Sequence, residues 1–437
     1  MSIPSLQGLQ TALSGLLADQ QAIDVTGQNI TNVNTPGYSR QAVQLQTNEP
    51  MRIAALAPGT GAGGQLGTGV MVTGYTRIRA SYLDAEYRNQ NSALGAASSE
   101  VEGLTQAQSA FDEPSKAGIA SQMSAFWSAW ASLADLPSSE AAKVAVVSAG
   151  TQLADTLNQL SSKLQTIEAQ ASKQYEAVAG PSGEVQSYAS QIAQLNQQIK
   201  LSLVARQQPN DLEDRRDLLL DQLSELGSVT VTKEANGTDT VEFGGAAKPL
   251  VEGASVNWPQ ALTAASGGQL GALLGLSGAG GAIAGYRTAL DEVAKALATT
   301  VNSLHTATPF FSGTTATTIA VAVTPAEVQT AEVANPGGNE VALAIAGLRG
   351  GEAEQRYAAL VAQVGAGVQN ATGDQTNSQA VLNAINDQRQ SVSGVSLDEE
   401  MTNLVTFQRG YEASARALTS MDEMLNTLIN HTGAVGL

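Results

Sequence analysis

No cysteine occurs among the 437 residues. Disulfides, thiolate zinc sites, iron–sulfur clusters and a cysteine nucleophile are thereby excluded. Cations are scarce as well: 22 Lys and Arg against 40 Asp and Glu leave a formal net charge of −18. Phosphate contacts need clustered Lys and Arg, so no nucleic-acid partner is expected. Charged residues of both signs make up only 14% of the chain, against about 25% in an average soluble protein. Gln, Ser, Thr and Asn must therefore carry most of the surface polarity. Aromatics, at 4%, suit long helices packed through small residues better than one thick globular core. The first Lys or Arg is Arg40, so a cleavable secretory signal with a cationic start is not expected. No uninterrupted apolar run approaches the roughly 20 residues of a membrane-spanning helix, and no membrane partner is expected.

What the chain does have is regularity at its two ends. Leu6, Leu9, Leu13, Leu16, Ile23 and Ile30 recur in steps of three and four, with Gln20 and Gly27 completing the row. Near the C-terminus Leu397, Met401, Leu404, Tyr411, Ala415, Leu418, Leu425 and Ile429 do the same, with Gln408 and Asp422 between them. A sustained period of about 3.5 residues is a coiled-coil pattern, and two such segments offer each other a partner. An amphipathic helix on a globular core is the plainer reading for either one alone. Asn32-Val33-Asn34-Thr35-Pro36-Gly37-Tyr38 stops the first helix. Ser396 and Glu399 have the spacing of a capping box, and Asp398, Glu399 and Glu400 are read as complementing a helix start.

Between the ends, helical periodicity runs from about Tyr82 to Leu226, with breaks at 112–114, 136–138 and 180–183. A strand is expected at 70–75. A hairpin is expected at 228–252 around Asn236-Gly237, helix again at 282–306, a strand near 318–323, and helix over 340–390. The fold class is mainly α with small β insertions. Its terminal helices pair as a coiled coil, its rod is long and helical, and its outer region is small and β-rich. The expected domains are 1–44 with 394–437, 45–227 with 264–393, and 228–263.

Chemistry-bearing motifs are weak. Gly59-x-Gly61-x-x-Gly64 matches a dinucleotide fingerprint but opens no helix, so a loop is the better reading. His305 and His431 lack ligand spacing and read as surface or helix-end residues. Asp211 to Asp217 interleave with Arg215 and Arg216 as a salt-bridged helix face. No catalytic, cofactor or metal site is expected.

Asn29-Ile30-Thr31-Asn32-Val33-Asn34-Thr35-Pro36-Gly37-Tyr38 resembles the N-I-A-N-x-N-T-x-G-Y/F motif of bacterial flagellar axial proteins, although Gly27-Gln28 before it departs from their pattern. Ser393 to Met401 and Asp422 to Leu428 resemble the C-terminal motif of the same family. Ser39-Arg40-Gln41, Phe407-Gln408, Tyr411 and Ala415-Arg416 are similar to its hook-associated branch, as are Leu195 to Ile199 and Asp214 to Leu218. The resemblance implies a structural protein of the hook–filament junction. It also implies unfolded export through a type III channel from the cytoplasm, and self-assembly in a helical lattice outside the cell. The implied partners are the hook protein, hook-associated protein 3 and an export chaperone on the C-terminal helix. The motif positions carried over are Asn29, Ile30, Asn32, Asn34, Pro36, Gly37, Tyr38 and Arg40. Another axial protein of hook or rod, a coiled-coil adhesin and a peptidoglycan-acting enzyme are the alternatives.

Overall fold

Helices α1 (Ile3–Thr31) and α11 (Leu397–His431) bracket everything else in a computed structural model that describes residues 3–53, 64–332 and 337–431. Gly59 and Gly61 of the glycine run lie outside the described residues, as do the side chains of Leu6 and His431. After α1 a ribbon forms from β1 (Gln41–Thr47), β2 (Met51–Ile53), β3 (Gly64–Leu66) and β4 (Val70–Arg77). β1 pairs with β4 and β2 with β3, both antiparallel, with a bulge at Gln44/Leu45.

The body is helical: α2 (Ser81–Phe111), α3 (Ile119–Asp135), α4 (Glu140–Ala179), α5 (Glu184–Val204) and α6 (Asn210–Leu226). The expected breaks at 112–114, 136–138 and 180–183 are all present. A further break at 205–209 separates α5 from α6. The hairpin β5 (Val229–Lys233) and β6 (Asp239–Phe243) is extended by β7 (Val251–Glu252) and β8 (Ser255–Val256) into a four-stranded antiparallel sheet. Then follow α7 (Gly268–Ser277), α8 (Ala282–Leu304), the short pair β9 (Phe311–Ser312) and β10 (Ala320–Val321), α9 (Glu340–Ala346) and α10 (Glu352–Ser393). The periodic stretch at 340–390 is thus two helices, divided at Gly347–Gly351. Gly350 there takes a φ of +74°, which glycine adopts without strain.

Two apolar cores hold the body. In α3, Ile119, Met123, Trp127, Trp130 and Ala134 recur at helical spacing and are buried. Their cluster is closed by Phe310 and Phe311 and by leucines of α4 and α8. Five of the few aromatics meet here, with Phe126, Trp127, Trp130, Phe310 and Phe311 at centroid separations of 4.9 to 6.3 Å. Scarce aromatic surface is concentrated where it buries most. The second core joins Val185, Ile192, Leu220 and Leu223 to Val241, Phe243 and Val251. The β-sheet therefore packs its inner face onto α5 and α6.

Elsewhere small residues let helices approach. α2 and α10 lie side by side and antiparallel, linked by Gln375 to Ser98 and by Tyr357 to Glu113 at the far end. A Cβ on Gly95 of α2 would lie 2.2 Å from the Glu225 carbonyl oxygen, whereas one on Gly373 of α10 meets nothing within 4 Å. Gly95→Ala is expected to cost about 1–3 kcal/mol through overpacking. Gly373→Ala is expected to stabilise by about 0.5–1 kcal/mol. Opposite shifts in the urea midpoint are the measurement; shifts of the same sign would contradict the close approach.

Candidate functional site

The C-terminal end of α1 is tied off by its own motif. Asn32 Nδ2 donates to the Gln28 carbonyl at 3.0 Å, and the Thr35 hydroxyl donates to Asn32 Oδ1 at 3.1 Å. Gly37 then adopts a φ of +79° close to the Leu218 side chain, where a Cβ would lie 3.1 Å from Leu218 Cβ. Both conditions favour glycine. Asn34 and Pro36 remain exposed on the turn.

Asn29 is the centre of what the turn builds. Its Nδ2 donates to the Gln41 carbonyl at 2.9 Å and to Glu400 Oε2 at 3.0 Å. Its Oδ1 accepts from the Tyr38 hydroxyl at 2.8 Å and from the Gln41 amide at 3.0 Å. All four hydrogen-bonding positions of a 1% exposed amide are used. Burial, and after it the carboxylates of Asp211, Asp214 and Glu400, pushes the Tyr38 phenol well above its usual range, so it remains a donor. Arg40 Nε lies 2.6 Å from Glu400 Oε1, and its Nη1 lies 3.1 Å from Glu399 Oε2. The Arg40 amide donates to the Ser393 carbonyl at 2.9 Å. One polar knot therefore joins the end of α1, the start of β1, the end of α10 and the start of α11.

Glu400 corrects the sequence reading. It is 2% exposed and bonded to Asn29 and Arg40, so it does more than complement a helix start. The capping box is half formed: Ser396 Oγ accepts from the Glu399 amide at 3.5 Å, while the Glu399 carboxylate reaches Arg40.

The acidic segment of α6 is salt-bridged, as its sequence suggests, but largely to partners outside the segment. Ser39 donates through its amide and hydroxyl to Asp214, at 3.0 and 2.7 Å. Arg77 bridges Asp214 at 2.7 Å and Asp217 at 2.9 Å. Arg79 and Arg88 each reach Asp217 at 3.2 Å, and Arg88 also holds Asp221 at 2.8 Å. From α10, Arg389 reaches Asp221 at 2.7 Å and Asp84 at 3.1 Å while lying over the Tyr87 ring at 4.2 Å. Burial alone would raise the Asp217 carboxyl, but Arg79, Arg77 and Arg88 outweigh it and hold that group well below the usual carboxylate range. Arg216 turns the other way, to Asp239 at 3.0 Å and Asn196 Oδ1 at 2.9 Å. Arg77, Arg79, Arg88 and Arg389 come from elements far away in sequence, which helical spacing within 211–217 does not reveal. Next to the knot lies an open cleft of about 660 Å³, bordered by the motif turn and by α6 and α10.

The two terminal helices run antiparallel. A Cβ on Gly8 would sit 3.0 Å from Met421 Sδ, one on Gly15 3.0 Å from Ser414 Oγ, and one on Gly410 2.7 Å from Asp19 Oδ2. Gly8, Ala12, Gly15, Ala18 and Ala22 bring α1 close. The row on α11 that begins at Glu400 continues through Asn403, Phe407, Gly410, Ser414, Ala417 and Met421, each at least half-buried. The apolar rows read from the sequence sit to the side of this contact. Leu9, Leu16, Ile23 and Ile30 are half-buried, as are Leu404, Ala415, Leu418 and Leu425. Leu13 (42%), Met401 (60%) and Ile429 (77%) are exposed, together with Leu397, Tyr411 and, outside the expected row, Leu17. His305, expected on the surface or at a helix end, is at the end of α8 but buried. Among the described residues no three metal-ligating side chains converge. Glu399 and Glu400 of the knot and Asp214, Asp217 and Asp221 of α6 are each committed to ion pairs or hydrogen bonds, so the arrangement joins elements.

Three family descriptions match this chain. "Flagellar hook-associated protein FlgK helical domain" covers residues 104–265, "Flagella basal body rod protein" covers 9–38, and "Flagellar basal body rod FlgEFG protein C-terminal" covers 387–431. The chain is 28% identical to flagellar hook-associated protein 1 of Bacillus subtilis across 99% of both chains. It is 31% identical to flagellar hook-associated protein 1 of Escherichia coli over 53% of its own length and 40% of the relative's. The chain thus matches the Bacillus relative from end to end but spans about two fifths of the Escherichia one. A solved structure of the flagellar hook junction protein FlgK from Burkholderia pseudomallei is 25% identical, covers 52% of this chain and 44% of that one, and superposes with a TM-score of 0.44.

Proposed function

We propose that the chain is a member of the flagellar hook-associated protein 1 family, a reading supported by the match of its helical domain and its end-to-end likeness to the Bacillus relative, and that it builds its junction as follows. The observation that carries the proposal is the antiparallel α1–α11 pair. It closes on itself through glycine and alanine and leaves apolar side chains uncovered on its outer flanks, Leu13 and Leu17 on α1 and Met401 and Ile429 on α11. Apolar side chains left exposed on both helices of the pair offer surface for association, and neighbouring copies of the same pair are its natural occupants in a helical lattice. The polar knot then fixes how each pair stands on its own helical body.

On this reading the protein sits in the extracellular flagellum at the distal end of the hook. There it contacts the hook protein below and hook-associated protein 3 above. It reaches that place unfolded, through the flagellar export channel, after release from a cytoplasmic chaperone bound to α11. No helix among the described residues is long and apolar enough to cross a membrane. The match of 104–265 to the helical domain of the family favours this assignment over a hook or rod protein, since the terminal matches are to rod-protein descriptions. The test is a strain lacking only this protein. Electron micrographs are expected to show hooks without filaments, with filament subunits in the medium. Filaments of ordinary length in that strain would refute the assignment.

A further inference from the structure

The imidazole of His305 is 1% exposed and ends α8 against the aromatic cluster. Trp130 and Phe310 present their rings to it edgewise, at centroid distances of 6.3 and 5.7 Å. Both ring nitrogens are committed to backbone. Nδ1 lies 2.5 Å from the Thr308 carbonyl, to which it must donate, and Nε2 lies 2.8 Å from the Gln329 amide nitrogen, from which it must accept. A carbonyl cannot donate and a backbone amide cannot accept, so this pair of partners specifies the neutral imidazole with its proton on Nδ1.

Gln329 is the point at which the segment 306–332 returns to the body. Its side chain accepts from the Ala307 amide at 3.0 Å and donates to the Ala331 carbonyl at 3.1 Å. The next residue, Thr330, accepts from the Ala342 amide of α9 at 3.2 Å. The segment between carries Phe310, Phe311, Ile319, Val323 and Val328 into the main core. We propose that His305 is an acid-released latch on this segment: neutral, it accepts the Gln329 amide, and protonated, it turns a second N–H against that amide and frees the return strand from the aromatic cluster.

Among the described residues, no carboxylate pairs with the His305 imidazole, whose two ring nitrogens meet backbone groups. Asp135 is exposed at the end of α3. Glu327 is held by Thr324 at 2.8 Å, and Asp291 of α8 accepts from the Ala316 amide at 2.7 Å. Lys295 and Glu292 pair with each other on the exposed side of α8. Glu332 and Glu340 line an outer cleft with Gln329 and Thr306. Burial lowers the imidazole from its usual 6.5, and the bond to Thr308 acts in the opposite sense. Because the folded value is depressed, the unfolded or opened segment takes up its proton first. The latch is therefore fully closed above about pH 6.5 and weakens as pH falls below it.

The chain has only two histidines, so His431→Gln leaves one imidazole to follow by NMR. Amide exchange of the full-length protein, corrected for intrinsic rates, would be measured from pH 8 to 5. Protection of residues 306–332 is expected to fall at least tenfold as His305 takes up its proton, with α4 and α10 unchanged. His305→Gln offers a side-chain carbonyl to the Gln329 amide at every pH, and its protection should stay level. Wild-type protection that is constant while His305 titrates would overturn the proposal, and so would an imidazole titrating at or above 6.5. If the Gln variant fails to fold, the wild-type comparison decides alone.

Discussion

Asp217→Asn is expected to destabilise the helical body by about 3–5 kcal/mol, the usual cost of removing one partner from a buried ion network. Asp217 is 5% exposed and ion-paired with Arg77, Arg79 and Arg88. Neutralising it takes from Arg77, Arg79 and Arg88 the one carboxylate that all three share, leaving them Glu213, Asp214, Asp84 and Asp221, and their charges cannot be lost at accessible pH. Glu292→Gln is the control. Its exposed pairs with Lys295 at 3.3 Å and Arg356 at 3.7 Å are expected to be worth at most about 1 kcal/mol. The two unfolding midpoints in urea should differ accordingly, and equal midpoints would show that the ladder contributes no more than a surface pair. Acid provides a second reading of the same group. The folded Asp217 carboxyl is depressed from the usual 3.8, so on acidification the unfolded chain binds the proton first. Its stabilisation is present above about pH 4 and is lost progressively below it, and the Asn variant should lack that part of the acid sensitivity.

The ladder also marks where sequence reading stops. Breaks at Glu113-Pro114, Pro137 and Pro181-Ser182-Gly183 were legible because proline and glycine act locally, whatever surrounds them. The four-stranded sheet was legible only as a hairpin, since β7 and β8 are two residues each and exist through pairing with β6. α7 was missed because its glycines blur the periodicity, and its helix is held by packing against α2 and α4. Asn29, Tyr38, Gly37 and Arg40 were legible as a motif, but Glu400, the partner that Asn29 and Arg40 share, lies 371 residues from Asn29. Glu400 had one local signal: it opens the row 400, 403, 407, 410, 414, 417, 421 that faces α1. Large apolar residues drew attention to a neighbouring row, although helices approach closest where residues are smallest.

That distinction between rows gives a prediction in the assembled organelle. Gly15→Leu acts inside one chain, because a side chain there would meet Ser414 and push α1 from α11. Leu13→Asp and Met401→Asp act on the uncovered flanks. Both residues are exposed in the single chain, so monomer stability should change by no more than about 0.5 kcal/mol. Between copies the same aspartate would be buried without a partner, at roughly 2–7 kcal/mol, and the defect recurs in every subunit of the ring. Thr419 supplies the neutral comparison: it is exposed, and its hydroxyl donates to the Ala415 carbonyl of its own helix, at 2.8 Å. Leu13→Asp and Met401→Asp are expected to be exported and folded, yet to yield hooks without filaments and cells that do not swim. Thr419→Asp should swim almost normally. If Leu13→Asp and Met401→Asp both swim like Thr419→Asp, the uncovered flanks are not the surface by which copies join.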